Sequence, residues 1–138
     1  MTFRNSEGYP DPTASLAIER ATRDERKKKY RPLVYICSRY AGDVESNIRA
    51  ARNFCRFAVQ SGYIPVASHL LYPQFLDDEN PVERDLGLFF GNILMDKCDE
   101  VWIFGAELSA GMKAEYERAK RKGYRIRWFN TTCEEVVR

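Results

Sequence analysis

The sequence predicts an α/β domain built on a parallel sheet, and three observations carry that expectation. From residue 31 onward, short apolar runs alternate with stretches of helical periodicity. Glycines and capping residues fall where those stretches should stop and start. The 138-residue length suits one compact core rather than two. Strand and helix in alternation need crossover connections, which are right-handed and leave the strands parallel.

Leu33-Val34-Tyr35-Ile36-Cys37 is a continuous apolar run, as in a strand covered on both faces. Val44, Ile48, Ala51, Cys55, Ala58 and Val59 then recur at helical steps, and Gly62 supplies the stop. Ile64-Pro65-Val66-Ala67 reads as a second short strand, with the proline near its beginning. Asn80, Pro81 and Glu83 form a helix start: a cap, a proline at the first helical position and a glutamate three residues after the cap. The helix they open carries Val82, Leu86, Phe89, Phe90, Ile93 and Leu94 toward Cys98. Val101-Trp102-Ile103-Phe104 is the third strand, Ser109 caps a helix striped by Met112, Tyr116 and Ala119 and closed by Gly123, and Arg125 to Phe129 is the fourth strand. Residues 31–138 are therefore expected to form one doubly wound domain, Rossmann-like or flavodoxin-like, with four to five parallel strands.

Residues 1–30 are different in character. A Gly-Tyr-Pro-Asp-Pro opening precedes a helix-competent stretch, Thr13 to Lys29, with few apolar residues and a basic end, Arg26-Lys27-Lys28-Lys29. This is expected to be an appended helical arm whose cations favour a helix C-terminus; contact with phosphates is the weaker reading.

Charge and cysteine content narrow the function classes. Twenty-two basic and 20 acidic residues leave a net charge of +2, so nucleic acid is disfavoured as a partner. The four cysteines contain no C-x-x-C pair, and one histidine cannot complete a His-rich metal site, so reduced thiols in a reducing compartment and no metal are expected. The N-terminus lacks a signal pattern, and no apolar run approaches the ~20 residues of a membrane span. A cytoplasmic location without membrane contact is the expectation.

In open parallel sheets, ligands bind beyond the carboxyl ends of the strands. Those ends carry Ser38-Arg39-Tyr40-Ala41-Gly42-Asp43, then Ser68-His69, then Gly105 through Gly111. Such a set of polar loops fits a small-molecule pocket. Glu115 departs most from pattern, because it follows Gly111 by four residues, precedes Ala119 by four, and so shares the apolar face of its helix with Met112. A carboxylate on that stripe costs free energy unless it is partnered. It is either a catalytic or ribose-binding group, or a surface or salt-bridged acid; position alone leaves both open.

Cys98-Asp99-Glu100-Val101-Trp102-Ile103-Phe104-Gly105 followed by Ser109-Ala110-Gly111-Met112-Lys113-Ala114-Glu115 resembles the nucleoside 2-deoxyribosyltransferase-like superfamily. The nearest likeness is to a subgroup, often phage- or prophage-encoded, related to the 2′-deoxynucleoside 5′-phosphate N-hydrolases. Tyr35 to Tyr40, Asn47, Ser68 to Leu76 and Glu83-Arg84 match in order, so the resemblance spans about residues 33 to 130. It implies that Glu115 attacks or stabilises the anomeric carbon as the N-glycosidic bond breaks, in a pocket often completed by a neighbouring subunit. It further implies that Ser109, where transferases of free nucleosides have aspartate, serves a 5′-phosphate; capping the helix is a role the same serine could fill. Arg39 is the counter-charge, and Ser38, Tyr40, His69, Gly105, Gly111 and Met112 complete the substrate-binding set; His69 has a purely structural alternative.

One departure stands out. The enzymes carry an aspartate eight residues before the one matching Asp99, and here that place is Gly91; Asn92, Asp96 or Asp85 are the stand-ins. A nucleobase leaves poorly without protonation, so the loss could cost ~10²–10⁴-fold in rate. Two expectations follow: an N-glycosidic hydrolase or deoxyribosyltransferase acting on a nucleoside or nucleotide without metal or cofactor, or a non-catalytic protein holding a nucleotide-derived ligand such as an ADP-ribose derivative. The wide apolar surface of the Pro81 helix adds a homodimer or larger homo-oligomer.

Overall fold

The structure, a computed structural model, describes residues 30–138, of which Arg31–Arg138 form one compact unit. The arm expected over Thr13–Lys29 lies outside the described residues. In chain order the unit runs β1 (Leu33–Cys37), α1 (Val44–Gln60), β2 (Ile64–Val66), α2 (Ser68–Leu71) with a 3₁₀ turn over Tyr72–Gln74, α3 (Pro81–Asp96), β3 (Glu100–Phe104), α4 (Ala110–Arg121), β4 (Arg125–Phe129) and β5 (Glu135–Val136).

The five strands form one sheet in the order β2-β1-β3-β4-β5. β1 pairs in parallel with β2 and β3, and β3 in parallel with β4, with Tyr35 opposite both Val66 and Val101. The all-parallel expectation fails at one edge, where β5 pairs antiparallel to β4. A turn built on Asn130 explains the reversal. Its side-chain oxygen accepts from the backbone N–H of Thr132 at 3.0 Å and of Glu134 at 2.8 Å, and Cys133 takes a positive φ of 64°. That hairpin-type turn returns the chain along β4 without a crossover.

Period-two alternation divides the core between the two faces of the sheet. Tyr35, Cys37, Val101 and Ile103 pack with Met95 of α3 and with Met112 and Ala119 of α4. Val34, Ile36, Trp102, Phe104 and Phe129 pack against Phe54 and Ala58 of α1. Trp102 is buried, and its indole N–H donates to Glu100 at 3.1 Å, which also accepts the Tyr63 hydroxyl at 2.8 Å. A large aromatic with a polar edge is thus buried at no cost in unsatisfied donors.

The caps set the helix starts. Asp43 accepts from Ser46 N–H at 3.2 Å, and Asn80 accepts from Val82 and Glu83 N–H at 3.0 and 3.3 Å. Glu83 does not close the reciprocal box expected of it; its carboxylate accepts from Asp77 N–H at 3.4 Å, because Asn80 N–H already donates to Asp77 O. Asn80→Ala should therefore cost about 1 kcal/mol, read as a lower midpoint with an unchanged slope in urea denaturation. An unchanged midpoint would remove Asn80 from the account of how α3 begins.

Two short elements differ from expectation. Ser68-His69 opens α2 rather than a loop, and β2 stops at Val66, one residue short of Ala67. The cause is local: Leu70 N–H donates to Ala67 O, turning the chain as soon as it leaves the sheet. Ser68 is thereby brought back under β1.

Candidate functional site

Tyr35 and Cys37 stand two residues apart on β1, so both side chains project from one face of the sheet. Glu115 comes down to meet them from α4, whose buried stripe includes Met112 and Ala119. The Tyr35 hydroxyl donates to Glu115 Oε2, and the Cys37 thiol points at Glu115 Oε1 across 3.7 Å and at Met112 O across 3.9 Å. Ser68 Oγ lies 2.9 Å from the Tyr35 hydroxyl. With Glu115 ionised the chain of donors runs from Ser68 to Tyr35 to Glu115, since a carboxylate only accepts.

The electrostatics follow from burial. Burial pushes the Glu115 carboxyl up from 4.5 to about 7, against the lowering pull of the hydrogen bonds from Tyr35 and Cys37. Desolvation outweighs two donors because no cation among the described residues is paired with the carboxylate. Tyr35 and Cys37 are both held well above their ordinary values, first by burial and then by the Glu115 charge. They stay protonated donors while Glu115 changes state near neutrality.

Glu115 lies partly exposed at the wall of a cleft that also takes in Tyr35, Tyr40, Ser68, His69 and Gly111. Tyr40 and His69 stack with ring centroids 4.9 Å apart and planes 24° from parallel. Burial lowers the His69 imidazole's affinity for a proton, the Asp78 charge opposing, so the ring is neutral at physiological pH. Asn47 fixes the loop beneath Tyr40, its amide donating to the Tyr40 and Ala41 carbonyls at 2.9 and 3.1 Å.

Four of the other expected residues surround a second cavity on the α1 side of the sheet, also at the carboxyl ends of the strands; Ser109 lines neither cavity. Ser38, Arg39, Gly105 and Met112 line the second cavity together with Asn47, Phe54 and Thr131. Gly105 takes a φ of +119°, a conformation that admits the turn out of β3. Ser109 caps α4, its hydroxyl accepting from Met112 N–H at 3.3 Å. The capping role is thus filled. The sequence-expected set is divided, with Tyr40, His69, Gly111 and Glu115 on one cavity, Ser38, Arg39, Gly105 and Met112 on the other, and Ser109 on neither.

Gly91 faces the Glu115 cleft from α3. A Cβ there would stand 3.4 Å from both the Tyr35 hydroxyl and Ser68 Oγ. Any side chain at 91 would therefore be directed at the hydrogen-bonded pair that supports Glu115. Of the three stand-ins named from the sequence, Asn92 alone lines the cleft. Asp96 is engaged by Arg118 at 2.8 Å, by Lys122 and by Tyr124, and Asp85 is exposed.

Tyr35 and Cys37 were not singled out from the sequence as site residues, and Ser68 was placed only in the strand-end loop with His69. A signal did exist for Tyr35: a tyrosine inside an otherwise apolar, doubly covered strand must find a partner for its hydroxyl. For Ser68 the strand-end position was the signal, but its approach to Tyr35 was not readable, because that depends on the tight turn into α2.

A family model described as a domain of unknown function, DUF7768, matches residues 32–129. The chain belongs to that family. The matched span takes in β1 through β4, and with them Tyr35, Ser68, Gly91 and Glu115. No curated protein matches the chain. Among the described residues, no group of three or more histidine, cysteine, aspartate or glutamate side chains is placed to hold a metal ion, and no helix is long and apolar enough to cross a membrane.

Proposed function

We propose that the chain binds a nucleoside or nucleotide at the carboxyl edge of its sheet and cleaves or transfers the N-glycosidic bond, with Glu115 as the catalytic carboxylate. The observation that carries this reading is the placement of Glu115: a carboxylate that no cation among the described residues pairs with, held by Tyr35 and Cys37 at the wall of a cleft and poised near neutrality. Such a group stabilises positive charge that develops at an anomeric carbon only in the transition state. The C–N bond breaks with its electron pair passing to the base, which takes up a proton, and water or a second base adds to the sugar. The strand order and the helices on both faces support a doubly wound assignment, whose ligands sit at this edge. The 5′-phosphate is held near Ser109 and the first N–H groups of α4, with Arg39 as counter-charge, in a cytoplasm that is the host's if the gene belongs to a phage.

A second reading has its own observation. Gly91 offers no acid, and the cleft's other carboxylates are Asp78 and Glu83. A chain without a positioned acid can hold an ADP-ribose-like ligand without turning it over. Incubation with a panel of nucleosides, 5′-monophosphates and ADP-ribose derivatives separates the two: free base on chromatography supports the enzyme, and intact ligand retained by the protein supports the binder. Neither outcome with any of the panel would end both.

The phosphate assignment has its own test. Ser109→Asp should weaken binding of 5′-monophosphates by about tenfold and spare the corresponding nucleosides, because aspartate preserves the cap but repels an anion at the same helix end. Equal loss for both ligand types would place the phosphate elsewhere. The resemblance also brings a homodimer or larger homo-oligomer into this proposal, and α3 gives that assembly a specific face.

A further inference from the structure

α3 is apolar on two opposite sides. Gly91 and Met95 face the core. At 3.6 residues per turn, Val82, Leu86, Phe89 and Ile93 stack along the reverse side, at steps of four, three and four residues. These four side chains are between 41% and 76% exposed, where a surface helix should be polar. The spacing is that of a two-helix seam, in which alternating three- and four-residue steps keep one stripe against a partner helix.

We propose that this stripe is a self-association face, on which two copies of the chain pair α3 with α3 in antiparallel orientation about a two-fold axis. Leu86 then packs against the partner's Phe89, and Val82 against the partner's Ile93. The stripe is self-complementary under that operation, as a two-fold interface requires. Charge selects the orientation. The N-terminal end of α3 and its approach carry Asp77, Asp78, Glu79, Glu83 and Asp85 against Arg84, while Lys97 caps the other end and Asp96 is already met by Arg118 and Lys122. A parallel pair would set two acidic ends side by side. An antiparallel pair sets each beside the partner's Lys97 and opposes the helix dipoles. The stripe lies on the side of α3 opposite Gly91, which lines the cleft, and the pairing stands whether or not any nucleotide is bound.

Sedimentation of the full chain gives the first reading. A dimer mass is expected at about 100 μM, with Phe89→Glu raising the dissociation constant at least tenfold while the circular dichroism spectrum is unchanged. A wild-type monomer at that concentration overturns the proposal, whether residues 1–29 or nothing covers the stripe, and so does a Phe89→Glu protein that remains dimeric. If Phe89→Glu fails to fold, Val82→Glu at the most exposed position of the stripe replaces it, with the same two outcomes. Cysteine cross-linking reads the orientation against a wild-type control for the native thiols. Val82→Cys combined with Ile93→Cys should yield covalent dimers on oxidation and Val82→Cys alone should not; the reverse result overturns the antiparallel arrangement.

Discussion

Glu115→Gln should lose glycosidic turnover by ~10³-fold or more while its affinity for the same ligand changes by no more than about threefold. Glutamine keeps the length of the side chain and an oxygen to accept the Tyr35 hydroxyl, so the geometry at the foot of α4 survives. What disappears is the charge, and charge opposite a developing oxocarbenium ion acts in the transition state rather than in the ground-state complex. Base release measured by chromatography, alongside calorimetric titration of the substrate, distinguishes the two parameters. A fully active Glu115→Gln protein would exclude the carboxylate from the chemistry.

The same reasoning fixes the pH dependence of the wild type. Only ionised Glu115 stabilises a cation, so turnover should climb as pH rises through about 7. Tyr35→Phe removes a donor that lowers the Glu115 value, so its rising limb should move to higher pH. An unmoved limb would mean that Tyr35 supports the fold without acting on the carboxylate.

Much of this arrangement was legible in the residues, for reasons that differ from element to element. β1, α1, α3, α4 and β4 announce themselves through unbroken apolar runs, helical spacing and caps, all of which are local properties of the chain. α2 and β5 do not, because each is fixed by a turn: Leu70 N–H reaching back to Ala67 O in one case, the Asn130 side chain in the other. The position of Glu115 on a buried stripe pointed to the candidate site. The division of its expected companions between two cavities was not readable, since residues that follow one another after β1 or at the start of α4 lie on opposite sides of the sheet edge. Gly91 was read as a missing acid, and in three dimensions a side chain at that position would meet Tyr35 and Ser68, the pair that supports Glu115.

Stability should pay part of the cost of this carboxylate, with a sign opposite to that of an ordinary salt-bridged acid. The Glu115 carboxyl titrates at about 7 in the folded chain against 4.5 when exposed, so between those values the folded state holds a proton that the unfolded state has released. Stability therefore falls as pH rises across that window and is flat, as far as Glu115 is concerned, on either side of it. The displacement corresponds to at most about 3 kcal/mol, reduced by the water that reaches Glu115 through the cleft. Glu115→Gln has no such titration. At pH 8 it should exceed the wild type by up to about 3 kcal/mol, or roughly 10 °C in Tm, and below pH 4.5 the two proteins should converge. Comparing the two cancels other groups, including Asp96, whose carboxyl is held well below its usual range by Arg118 in both proteins. Urea denaturation of the pair at pH 4, 6 and 8 reads the difference directly. Parallel stability curves across that range would mean that the carboxylate is fully solvated in the folded chain, and the desolvated site would have to be abandoned with them.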